Sequence, residues 1–196
     1  MEARKTVDVF MGTRPEAIKL APVVAALKRS NFLRCRVVAT GQHREMFQQV
    51  AEQFGFSVDV DLAVMQAGQT LAGLTARLME RIDGWLEHGH PDMALVQGDT
   101  TTVLVAALAC FYRRIPVGHV EAGLRTGDIW APFPEEANRR LASPIVSLHF
   151  APTRSARDAL LREGVPGLHF YTLNKARSTS QILQNLSLAP RPLTAA

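Results

Sequence analysis

No stretch of this 196-residue sequence holds the roughly 20 consecutive apolar residues that a membrane-spanning helix needs. The opening Met1-Glu2-Ala3-Arg4-Lys5 leads into a short apolar run over residues 6–11, too brief for the core of a signal peptide and without a small-residue cleavage site. The expectation is a cytoplasmic protein with no membrane association. Cysteine is nearly absent. Cys35 and Cys110 sit in separate apolar stretches with no CxxC spacing, which favours two buried, reduced thiols over a disulfide or a metal pair. His43, His119 and His149 lack the spacing of a ligand set, so no metal site is expected, and His119 falls inside a strand as a hydrogen-bonded core residue.

The formal charge of +4 has no basic stripe behind it and no interleaved aromatics. Residues 166–196 carry Lys175, Arg177 and Arg191 and no acid, so the body before them is almost neutral. Nucleic acid is not the expected partner. Internal repeats and low-complexity linkers are missing too, as are the GxGxxG dinucleotide fingerprint and the GxxxxGK[ST] phosphate loop. NAD and ATP chemistry therefore have no support, and no cofactor is expected.

What remains is an alternation of short β-rich runs with longer helical patterns, the signature of a parallel sheet covered on both faces. With 47% hydrophobic residues the chain can close one substantial core. Strands are expected near residues 6–10, 36–40, 58–62, 93–97, 116–120 and 148–151. Helices are expected at 14–29, 44–54, 70–86 and 103–112, from Glu135, and from a cap at Thr153 or Ser155 to Gly164. Thr13 and Glu16 have capping-box spacing, with Pro15 suited to the first helical turn. The character changes at residue 165. Residues 1–165 are expected to form one Rossmann-like α/β domain, and residues 166–196 an irregular, divergent basic tail.

Unusual polar residues cluster just after the carboxyl ends of the expected strands: Arg14, Gln42 with His43, Asp99, and Glu121 with Arg125. In an open parallel sheet those ends share one rim, where ligands bind. Gly12 and Gly98 allow tight strand-to-helix turns and are expected to leave backbone N–H groups open to an anion, with Arg14 as a cationic fork beside them. Glu135 and Glu136 each precede an arginine, Arg139 and Arg140, by four residues. The plain reading is two exposed helix salt bridges, yet one pair can face the rim. Asp99, Glu121 and Glu135 are the carboxylates available for proton transfer, and drawn together they would raise the pKa of at least one of them.

Five segments in order carry a family likeness. They are Gly12-Thr13-Arg14-Pro15-Glu16-Ala17-Ile18-Lys19, Gln42-His43-Arg44-Glu45-Met46, Gln97-Gly98-Asp99-Thr100-Thr101, His119-Val120-Glu121-Ala122-Gly123-Leu124-Arg125-Thr126, and Pro134-Glu135-Glu136-Ala137-Asn138-Arg139-Arg140. Together with Leu148-His149-Phe150-Ala151-Pro152-Thr153 they resemble the non-hydrolysing UDP-N-acetylglucosamine 2-epimerases. The resemblance implies the N-terminal half of a GT-B fold. It also implies interconversion of UDP-GlcNAc and UDP-ManNAc, for polysaccharide biosynthesis, by anti elimination of UDP and re-addition with C2 inverted. Arg14, Asp99, Glu121, Glu135 and Arg139 match the family's catalytic positions, with Arg14 also on the UDP. Gln42, His43 and Gln69 match residues that hold a second, activating UDP-GlcNAc. A homodimer is implied as well. After residue 165 the likeness stops. The second GT-B domain, with most UDP contacts and a catalytic histidine, is not matched, which implies a chain inactive by itself or completed by a separately encoded C-terminal domain. The alternatives are a non-catalytic nucleotide-sugar-binding remnant and a hydrolysing 2-epimerase relative.

Overall fold

The computed structural model describes residues 4–41, 44–165 and 168–170. In chain order the elements are β1 (Lys5–Met11), α1 (Arg14–Arg29), β2 (Leu33–Ala39), α2 (Arg44–Phe54), β3 (Val60–Asp61), α3 (Leu71–Gly89) and β4 (Met93–Gln97). Then follow α4 (Thr101–Tyr112), β5 (Val117–Val120), α5 (Glu135–Ala142), a single 3-10 turn (Ser143–Ile145), β6 (Leu148–Ala151), α6 (Arg154–Glu163) and β7 (Leu168–Phe170). The strands form one sheet in the order β3-β2-β1-β4-β5-β6-β7, and every neighbouring pair is parallel. This is the expected Rossmann-like arrangement with helices on both faces. One strand goes beyond it: Leu168–Phe170 pairs with β6 where an irregular tail was anticipated. Three residues directly after Pro166-Gly167 give too short a period-2 signal to read as a strand.

Alternation along the strands builds two cores. Phe10, Val38, Ala94 and Val96 face one side, under α3 and α4, while Val9, Met11, Val37, Ala39 and Leu95 face the other, under α1. Helix α4 lies deep, with eight of its twelve residues buried, which explains its near-uniform apolar sequence. It begins at Thr101, two residues earlier than its apolar run suggests. Thr70 and Thr153 cap α3 and α6 by accepting the Gly73 and Ala156 amides, each at 3.1 Å. Cys110 is buried as expected, whereas Cys35 is half-exposed. Burial pushes their thiols up to about 12 and about 11, so neither is a thiolate at neutral pH.

The strand order reverses direction between β1 and β4. That switch point fixes where a crevice opens at the carboxyl edge of the sheet. At the opposite edge the buried carboxylate of Asp8 takes two bonds from Arg36 (2.6 and 3.0 Å) and one from Trp85 Nε1 (2.8 Å), a fully partnered cluster that ties α3 to the sheet.

Candidate active site

A pocket of about 530 Å³ sits at the switch point. Its floor and walls come from the carboxyl ends of three strands and from two helices: Thr13 with Arg14, Glu16 and Lys19 of α1; Gln97 at the end of β4 with Gly98, Asp99 and Thr100; Glu121 and Leu124 after β5; and Arg139 from α5. Of the residues singled out from sequence, Arg14, Asp99, Glu121 and Arg139 are thus brought together. Glu135 stands close enough to raise the Asp99 pKa but does not line the pocket. Gln69 belongs to the β3–α3 loop, where Arg77 donates to its side-chain oxygen, and lies outside the pocket. Gln42 and His43 lie outside the described residues.

Two sequence expectations are corrected by the hydrogen bonds. The Gly12 N–H is not open to an anion. Glu16, buried at 3% exposure, accepts from the Gly12 and Thr13 amides at 2.6 Å each, and from the Thr100 hydroxyl at 2.6 Å. The Gly98 N–H is likewise spent on the Val120 carbonyl at 3.1 Å. Cationic side chains at the pocket therefore carry the anion-binding capacity: Arg14, exposed and without an ion-pair partner among the described residues, with Lys19 and Arg139. Glu16 acts instead as the brace between the β1 and β4 turns. Its removal in Glu16→Ala leaves two backbone donors and a hydroxyl unpaired. The expected loss in urea denaturation is about 2–4 kcal/mol, with a smaller loss for Glu16→Gln, which keeps an acceptor.

The second correction concerns α5. Of the two expected salt bridges, Glu135–Arg139 is not formed among the described residues, while Glu136–Arg140 is formed with its acid buried rather than exposed. Glu136 is fully buried and takes both arginines, Arg139 Nε and Arg140 Nε, each at 3.2 Å. Arg139 then reaches across the pocket to Asp99 Oδ2 at 2.9 Å, and Asn138 donates to the Asp99 carbonyl at 2.9 Å. On the far side His119 Nε2 meets the Gly98 carbonyl at 2.6 Å. Asp99 is thus gripped through its side chain and both flanking carbonyls. Burial raises its pKa, opposed by Arg139 and reinforced by Glu135 and Glu121. A half-buried carboxyl group held in this way, with its pKa raised, is a candidate for proton exchange.

Glu121 occupies the left-handed region at φ 65°, a costly conformation for a residue with a side chain. Lys19 (2.5 Å) and Gln97 both bond its Oε2. Arg125, expected on the same rim, turns away to Glu163 (2.8 and 2.7 Å) and Ser143 (2.7 Å), and fixes the loop to α6. Among the described residues no group of three or more His, Cys, Asp or Glu side chains is placed to hold a metal ion. No described helix is long and apolar enough to cross a membrane.

The family model described as UDP-N-acetylglucosamine 2-epimerase matches residues 25–172. The chain belongs to this family. It is 55% identical over 162 residues to the UDP-N-acetylglucosamine 2-epimerase of Yersinia pestis, covering 83% of this chain and 43% of that one. It is 53% identical over 161 residues to the Escherichia coli protein of the same name, covering 82% and 43%. The solved UDP-GlcNAc 2-epimerase from Neisseria meningitidis, bound to UDP-GlcNAc, superposes with a TM-score of 0.81 at 42% identity, over 94% of this chain and 51% of that one. The Methanocaldococcus jannaschii enzyme, in complex with UDP-GlcNAc and UDP, gives 0.80 at 34% identity, over 93% and 50%. The chain thus spans less than half the length of the curated relatives it matches.

Within this epimerase-family domain, sequence reasoning missed Lys19 and Gln97 beside Glu121, and Glu136 and Asn138 behind Asp99. Lys19 and Glu121 are 102 residues apart, so only the fold reveals the pair. Glu136 had a local signal. An acid with arginines at both i+3 and i+4 can hold both from one buried position, an option that Glu135, four residues from Arg139, lacks.

Proposed function

We propose that this pocket is the proton-transfer wall of an enzyme that interconverts UDP-GlcNAc and UDP-ManNAc. The observation that carries the reading is the meeting of Asp99 and Glu121 with Arg14, Lys19 and Arg139 in one pocket at the switch point, with burial raising the Asp99 pKa. In the forward direction a carboxylate takes the proton from C2 of the sugar. The electron pair forms the C1–C2 double bond, and the C1–O bond breaks, so UDP departs as an anion. Return of UDP to C1, with a proton delivered to the other face of C2, completes the inversion. Asp99, Glu121 and Glu135 are the proposed acid and base groups. Arg14 and Arg139 are the proposed cations for the departing diphosphate. Gln42, His43 and Gln69 are proposed contacts for a second UDP-GlcNAc, and a homodimer is the proposed assembly.

The matched region spans less than half of its relatives, and the pocket as described is walled from one side. The expected result for the 196-residue chain by itself is therefore binding without turnover. Proton NMR at saturating UDP-GlcNAc should show no UDP-ManNAc. Millimolar UDP should shift the amide resonances of Gly98 and Asp99, and Arg14→Ala with Arg139→Ala should weaken that response about tenfold or more. Turnover that disappears in Asp99→Asn would overturn the inactivity. An amide spectrum unmoved by UDP would overturn the nucleotide-sugar reading.

A further inference from the structure

Glu136 is fully buried and does not line the pocket, yet its carboxylate holds Arg139, one of the proposed diphosphate cations. Its contacts explain why it is there. Oε2 accepts from Arg139 Nε and from the Thr126 amide, each at 3.2 Å, and Oε1 accepts from Arg140 Nε at 3.2 Å. Thr126 lies in the 121–134 connection, and its hydroxyl donates to the Ala131 carbonyl at 2.5 Å, so this loop folds back on itself. One carboxylate therefore fastens the start of α5 to the loop that follows Glu121. It also fixes the guanidinium of Arg139 by its Nε edge.

The guanidinium is planar and rigid, so holding Nε dictates where both terminal nitrogens point. With Nε on Glu136, Nη1 falls 2.9 Å from Asp99 Oδ2. Nη2 is buried with no hydrogen-bond partner among the described residues, a costly state for a charged donor. Arg139 itself is 6% exposed. A side chain with four rotatable bonds would not settle in that orientation without an anchor at its base. Arg140, on the same carboxylate, is exposed and does not line the pocket.

We propose that Glu136 is a positioning residue, which aims Arg139 at Asp99 across the pocket and locks the 121–134 loop to the same carboxylate. The idea rests on the functional reading above for its meaning, but its test does not depend on that reading. Asp99 can be followed in the free 196-residue chain with no ligand present. A failure here is thus separable from a failure of the chain to bind UDP or UDP-GlcNAc.

Two physical accounts of Glu136 predict opposite movements of Asp99. If Glu136 aims Arg139, then Glu136→Gln lets the guanidinium drift, and Asp99 loses the cation that holds its pKa down. If Glu136 only neutralises Arg139, removing its charge leaves a stronger cation beside Asp99, and the Asp99 pKa falls. The other charges that act on Asp99, from Glu135, Glu121 and Lys19, are common to both proteins and cancel in the comparison.

The experiment is a carbon-detected NMR titration of the Asp99 side-chain carboxyl in the whole chain and its variants. The expected result is a rise of about one pH unit in Glu136→Gln. Arg139→Gln should give a rise of the same sign, and the double variant no more than Arg139→Gln alone. Glu136→Asp keeps the charge, shortens the reach by one methylene, and is the safer variant should Glu136→Gln not fold. It too should raise the Asp99 pKa, because reach rather than charge is what aims the guanidinium. An unmoved Asp99 in Glu136→Asp, or a fall in Glu136→Gln, overturns the proposal, as does full additivity in the double variant.

Discussion

Acidification from pH 7 to pH 4.5 is expected to remove on the order of 2–3 kcal/mol of stability for each of His119 and His149. The two are direct partners in the register of β5 and β6, and both are buried. Burial pulls each down to about 4, with Arg125 adding to the effect on both and Arg139 adding to it on His119. In the unfolded chain both protonate near 6.5, so between about 6.5 and 4 the unfolded state binds the extra protons. Stability is therefore complete above this window and falls as pH drops through it. Glu16 and Asp99, whose pKa values are raised, take up protons earlier in the folded state and act in the opposite direction. Asp83, Asp92 and Glu163, all lowered, contribute their losses only below their ordinary range. The histidine share is isolated by difference. Urea unfolding across pH 7 to 4.5 should be markedly flatter in His149→Leu, and in His119→Gln, which can still donate to the Gly98 carbonyl. Slopes equal to the parent's would remove the histidines from the explanation.

The architecture was legible wherever a local signal coincided with a global one. Residues 93–97 are an apolar run closed by glycine, and they form β4 as read. Thr70 and Thr153 sit one residue before a helical period and cap those helices. Boundaries drifted where neighbouring strands decide them. β2 starts at Leu33, because Lys5 and Thr6 of β1 are available to pair with Leu33 and Arg34. β7 owes its existence to the free edge of β6 and has almost no pattern of its own.

The site was legible as a rim and illegible as a network. Strand ends place Arg14, Asp99 and Glu121 at one edge from topology alone. Which donors stay free, however, is decided by side chains distant in sequence. Glu16 reaches Thr100 across 84 positions, and this brace occupies the amides that the glycine turn had advertised for an anion. The charges of α5 show the same limit. Spacing permits Glu135–Arg139 and Glu136–Arg140 equally, and only the direction in which α5 presents itself to α4 chooses Glu136 for the interior. Burial then lets one carboxylate serve two arginines, which an exposed pair in water has little reason to do.

Gly123→Ala should be the most damaging small substitution in the chain, costing about 3–5 kcal/mol. Gly123 lies at φ +86°, a conformation unfavourable to any residue with a Cβ. An added Cβ would stand 2.3 Å from the Ala156 carbonyl oxygen and 2.8 Å from Leu160 Cγ and Cδ1. The first of these is backbone in the opening turn of α6, pinned by the Thr153 cap, and cannot swing aside as a side-chain tip would. Gly127→Ala supplies the control. That residue has φ +89° and no atom within 4 Å of an added Cβ, so it bears the backbone cost alone, about 1–2 kcal/mol. The difference between the two in urea denaturation measures the close approach of the loop to α6. Equal losses would mean that this approach is not part of the folded protein. A larger loss at Gly123 ties the site to the packing beneath it. Glu121 and Arg125 flank this glycine by two residues on either side, so the strained carboxylate facing the pocket and the arginine fastened to α6 both depend on a turn that only glycine can make.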